Sequence, residues 1–191
     1  MDEKGGIESG IAELIAGKFF KMTGILFQYV IAEKRPDGTT PKNPDIEYVA
    51  GSGRVEACEV KCNLQSTDLA EEPIKNILKK AKSQLPKGRV GIILLRVPET
   101  WFADKAATTV IENAINSFIK KEKTTRVSSI FLFVSETKLL PHEKMGRAFC
   151  VKEFQNKYCG RRSSIELHLT CENGRWCNLQ DWVSEITGIT D

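Results

Sequence analysis

The segment from Asn43 to Cys62 constrains the fold of this 191-residue chain more than any other. It reads as two short strands joined by the turn Gly51-Ser52-Gly53, a strong hairpin signal. The first strand opens with Pro44-Asp45 and the second carries Glu59-Val60-Lys61. Side chains alternate across a strand, so Glu59 and Lys61 point one way while Cys58, Val60 and Cys62 point the other. The turn folds Asp45 back alongside the second strand. Two carboxylates and one ammonium are therefore expected together at a sheet edge, above apolar residues. Such a group can hold a hard divalent cation and activate a water beside it. The plainer alternative is that Glu59 and Lys61 form the solvent face of an edge strand.

Asp45 followed fourteen residues later by Glu59-Val60-Lys61 resembles the motif of the PD-(D/E)xK nuclease superfamily, which includes restriction enzymes, junction resolvases and repair nucleases. The sharp likeness covers residues 43 to 62, and the order of elements carries it to about residue 98. Two other acid-x-Lys triplets lack the setting. Asp2-Glu3-Lys4 sits in a polar amino terminus without a strand, and Glu136-Thr137-Lys138 follows a strand but has no aspartate-led partner. Asp37 in Pro36-Asp37-Gly38 is a rival first carboxylate in a plain turn context.

The resemblance implies an α/β, restriction-endonuclease-like fold: a mixed central sheet flanked by helices, here with a C-terminal α-β extension. It implies a metal-dependent nuclease hydrolysing phosphodiester bonds, with DNA as the expected nucleic acid. Mg²⁺, or Mn²⁺ in its place, would be held by Asp45, Glu59 and the backbone carbonyl of Val60, with Lys61 positioning the water or stabilising developing charge. Related nucleases often place a glutamine or lysine on the second helix and an acid on the first. Gln84 and Glu8 resemble those positions, Glu8 reaching the metal through water; both also read as ordinary boundary residues. The alternative function is an inactive module of the same fold that binds nucleic acid or a protein partner. A homodimer stays open.

The rest of the chain fits one domain: a motif-bearing core at 1–98, a helix-strand continuation at 99–138 and a C-terminal extension at 139–191. Ile7, Ile11, Leu14, Ile15 and Phe19 recur at helical spacing, with Glu8 bordering the stripe and Glu13 further round. Ile25 to Ile31 reads as a strand. A second helix opens near Pro73, carries Ile74, Ile77, Leu78, Ala81 and Leu85, and stops at Pro86-Lys87-Gly88. Val90 to Val97 is a nearly continuous apolar run, as in a strand buried on both faces. A third helix spans Ala107 to Phe118 and another buried strand Val127 to Val134. In the tail, residues 165–169 alternate like a strand, 179–186 suggest a helix, and Trp176 and Trp182 are expected to anchor it.

A net charge of +3 does not by itself point to nucleic acid; its distribution says more. Lys75, Lys79 and Lys82 lie in a basic run on the second helix that could meet phosphates, or could be a solvated face. No apolar run reaches the roughly 18 residues that span a bilayer, and the polar start shows no secretory signal, so no membrane partner and a cytoplasmic location are expected. Six cysteines without a Cys-x-x-Cys pair, and only two histidines, argue against zinc and for reduced thiols.

Overall fold

The computed structural model describes residues 3–31, 42–62, 69–102, 104–139, 145–161 and 177–178; at 3–6, 22, 135–139, 145–150 and 177–178 it describes the backbone alone. The loop containing Asp37, the expected strand at 165–169, the expected helix at 179–186 and both tail tryptophans lie outside these residues.

The elements run α1 (Glu3–Met22), β1 (Phe27–Tyr29), β2 (Ile46–Val49), β3 (Val55–Lys61), α2 (Glu71–Gln84), β4 (Gly91–Arg96), α3 (Glu99–Phe102), α4 (Lys105–Glu122), β5 (Val127–Leu139), β6 (Met145–Gln155) and β7 (Cys177–Asn178). Strands β1 to β6 lie side by side in chain order, and the two-residue β7 pairs with β6. β1, β2 and β3 form an antiparallel meander, β3, β4 and β5 are parallel, and β6 returns antiparallel. The protein is thus α/β, with a mixed open sheet flanked by helices.

Helices cover both faces of the sheet. The two parallel crossovers step in the same direction, and their one allowed hand places α2 and α4 on the same face. There they bury Ala57, Ile93, Leu95, Ile130 and Leu132. Helix α1 covers the other face, over Cys58, Val60, Ile92, Leu94 and Phe131. β4 alternates between the two cores, which explains its unbroken apolar sequence. Because β3 has neighbours on both sides, it is an interior strand rather than the edge strand expected from its sequence.

The buried face of α1 also differs from expectation. Ala12, Ile15, Ala16, Phe19 and Phe20 face the sheet, while Ile7, Ile11 and Leu14 are 66%, 41% and 65% exposed. Small residues permit a close approach that the larger aliphatics would prevent. A Cβ on Gly17 would stand 1.9 Å from the Tyr29 hydroxyl. Phe20 then reaches the fully buried Tyr48, with ring centroids 5.0 Å apart. Aromatic pairs of this kind add about 0.5–1.5 kcal/mol beyond their burial.

The sequence does not announce β6, which joins the main sheet along almost the whole length of β5. Its Lys152 is paired with Glu112 of α4 at 2.6 Å, and its Glu153 accepts from Ser129 of β5 at 2.6 Å. The Glu136-Thr137-Lys138 triplet falls inside β5. Among the described residues, no helix is long and apolar enough to cross a membrane.

Candidate active site

The hairpin that positions the site closes as its glycines suggest. Two hydrogen bonds close the turn: the Gly53 N–H donates to the Ala50 carbonyl and the Ala50 N–H to the Arg54 carbonyl, both at 2.8 Å. Gly53 has φ +74°, a conformation that other residues rarely adopt. Ile46 then stands opposite Cys58, and this register carries Asp45 to the level of Glu59 and Val60. The Val60 N–H donates to Asp45 Oδ2 at 2.7 Å, fixing the aspartate against the second strand.

Glu59 and Lys61 share a face, as strand alternation requires. The Lys61 ammonium donates to Glu59 Oε1, and the glutamate side chain is fully buried. Its other oxygen, Oε2, is buried without a hydrogen-bond partner. This excludes the solvent-face alternative for Glu59. Burial is the main reason its carboxyl is pushed up to about 8; Lys61 opposes the shift, while Asp45 and Glu13 add to it. Burial likewise raises Asp45, against the pull of the Val60 N–H, the Lys61 charge and a hydrogen bond with the Glu59 carboxyl. Like charges crowded into low dielectric favour the protonated form until a cation joins them.

Glu13 is the acid of α1 whose charge is felt at this group. Burial and the Asp45 charge raise it, while its hydrogen bond from Ser9 and the charge of Lys61 lower it. Its carbonyl accepts from the Tyr29 hydroxyl at 3.5 Å. Glu8 is exposed, and its charge is felt instead at the Cys62 thiol. Burial and then Glu8 raise that thiol, whereas Arg96, at the end of β4, and Lys61 lower it. Sequence reasoning passed over Glu13. The clue to it was the small-residue face Ala12, Ala16 and Gly17 beside it.

Other expected members are not brought together. α2 returns antiparallel to β3, and Leu85 at its end abuts Gly91, where β4 begins. Gln84 therefore stands at the opposite end of the sheet from Glu59 and Lys61. The α2 lysines do not form an unpaired cationic stripe: Lys75 is 2.7 Å from Glu72, Lys79 is 3.6 Å from the same carboxylate, and Lys82 is paired with Glu122. Cys58, Cys62 and Cys159 are buried thiols, none of them in a disulfide.

The donor set nevertheless fits a hard cation. Two carboxylates converge, and one buried oxygen has no donor, a condition that a proton or a cation would relieve. Among the described residues, no three His, Cys, Asp or Glu side chains form a metal-holding group. A centre built from two carboxylates and a backbone carbonyl does not need one. Compared with protein-family models, curated proteins and solved structures, the chain matches none.

Proposed function

We propose that this protein is a metal-dependent nuclease of restriction-endonuclease-like fold that hydrolyses phosphodiester bonds, with DNA as the expected substrate. The observation that carries the reading is the burial of Glu59 beside Asp45, two carboxylates held together in low dielectric with Lys61 on one Glu59 oxygen. A structural ion pair has no need of a second carboxylate crowded against the first. The element order α1-β1-β2-β3-α2-β4 supports the reading, since it matches the core of the superfamily that the motif resembles.

In this reading Asp45, Glu59 and the Val60 carbonyl would hold Mg²⁺, with Mn²⁺ able to replace it. The bound ion would polarise the scissile phosphate and lower the pKa of a water. Glu59 must lose its proton for the site to fill, and Asp45 stays oriented through the Val60 N–H. Lys61, on the same face as Glu59, would stabilise the charge that develops on the phosphate oxygens. Glu13 takes the outer part that the resemblance gave to Glu8, accepting hydrogen bonds from water at the rim.

Asp45→Asn separates cleavage from binding. It preserves shape and removes a charge that repels phosphate in the absence of metal. Cleavage should fall by about 10²–10³ or more, while oligonucleotide binding by fluorescence anisotropy stays intact or tightens slightly. Lys61→Ala should lose cleavage as well, and weaken binding modestly. Wild-type cleavage rates in either variant would remove these residues from the chemistry.

A further inference from the structure

The other end of the sheet, where β3, β4 and β5 begin, carries a second concentration of charge of opposite sign. Two adjoining cavities of about 470 and 330 Å³ lie there, sharing Arg89 and Arg161. The first adds Arg54 from the β2–β3 turn, and the second adds Arg126, which precedes β5. Four arginines thus line the two cavities with a single acid, Glu56, whose carboxylate already accepts from the Tyr48 hydroxyl at 2.7 Å. Arg89 is engaged by Glu47 at 2.8 Å. Arg54, Arg126 and Arg161 have no carboxylate partner among the described residues.

Two further observations distinguish this basin from a merely solvated basic surface. The Arg126 Nε is buried and donates to nothing. Such a donor is rare in a folded protein and marks a place where an acceptor belongs. The walls are also fixed. Asn156 Nδ2 donates to the Thr124 and Val127 carbonyls at 2.7 and 2.8 Å, and Cys159 Sγ donates to the Thr125 carbonyl at 3.3 Å. These bonds tie the turn that carries Arg161 to the segment that carries Arg126. Like charges are therefore held together by backbone anchors despite their repulsion.

We propose that the basin is a phosphate-binding site, separate from the carboxylate pocket, taking phosphoryl or phosphodiester groups. The planar forks of arginine match phosphate oxygens two at a time and keep their charge at any working pH. The volumes fall in the range of about 300–1,000 Å³ usual for ligand pockets. Val55, at the basin, and Glu59 are four strand residues apart, about 13 Å at the usual rise. One bound group therefore cannot fill both sites. The phosphate can come from a free polyphosphate or from the backbone of a nucleic-acid strand.

The probes are pyrophosphate and a short single-stranded oligonucleotide, titrated calorimetrically into the full chain at low salt with EDTA present. Chelation prevents binding through a metal at Asp45 and Glu59, and the Asp45→Asn variant should titrate with pyrophosphate like wild type. Two basin variants complete the test. Arg161→Ala alters an exposed side chain. Arg126→Met removes the buried donor, so the ligand-free protein should melt at the same temperature or higher. Each should weaken pyrophosphate binding about tenfold or more, the loss expected for one charge-assisted pair. Pyrophosphate displacing the oligonucleotide would identify the strand backbone as a source. Oligonucleotide binding unchanged by pyrophosphate and by both variants would identify free polyphosphate. Absence of saturable binding by either probe, or wild-type affinity for both probes in both variants, would overturn the proposal.

Discussion

Glu59 is the residue on which the account turns, because its environment ties stability to the chemistry proposed. Its carboxyl is raised from 4.5 to about 8, chiefly by burial. Below the lower value, folded and unfolded chains both hold the proton. Between the two, the unfolded chain releases it while the folded chain keeps it, so metal-free stability falls as pH rises through that window. Asp45 and Glu13, raised in the same direction, add to the slope. Glu59→Gln should flatten it and leave the variant more stable than wild type at pH 7.5 in EDTA, by on the order of a few kcal/mol. Urea denaturation from pH 5 to 8.5 measures this; parallel curves for the two proteins would contradict the assignment. The same proton must leave when a cation binds. Mg²⁺ affinity should therefore rise with pH up to about 8, with proton release that the Gln variant lacks. An affinity independent of pH would dissociate Glu59 from the metal. At this scale the sequence was most legible where spacing alone decided the outcome, as for Asp45, Glu59 and Lys61. It was least legible for Glu13, whose place depends on how a helix is rotated.

Among the elements, the hairpin and β4 could be read because their signals are local: a glycine turn in one, an apolar run in the other. α1 misled because Ile7, Ile11 and Leu14 outweigh Ala12 and Ala16 in any count of hydrophobicity. The helix is seated instead by close approach at its small residues. β6 was hidden because Lys152 and Glu153 find partners only across the fold, in Glu112 and Ser129. Gln84 has a plausible helical face, but spacing along a helix does not say which end of the sheet it reaches. Close approach also makes a prediction at Gly91, where β3, β4 and the end of α2 meet. A Cβ there would stand 2.7 Å from the Ala57 carbonyl oxygen and 2.8 Å from Leu85. The carbonyl belongs to a paired interior strand and has little room to move. Gly91→Ala should destabilise the protein by about 1–3 kcal/mol, read as a lower urea midpoint. An unchanged midpoint would mean that the strand yields more easily than its packing implies.

Over the whole molecule, the charges separate along the strands. Glu13, Asp45 and Glu59 gather with Lys61 at one end of the sheet, and the arginine basin occupies the other. The α/β class and the mixed sheet were legible in the order of helical and strand periodicities. The basin was not, because Arg54, Arg89, Arg126 and Arg161 come from four separate segments that only the assembled sheet brings together. The central claim is that the carboxylate end performs phosphodiester hydrolysis with a divalent cation. Its most direct test is a time course of wild-type protein with supercoiled plasmid in Mg²⁺, in Mn²⁺ and in EDTA, run beside linear, branched and RNA substrates. The account predicts nicked or linear products in either metal and intact plasmid in EDTA. Every nucleic acid remaining whole in all three conditions would contradict it.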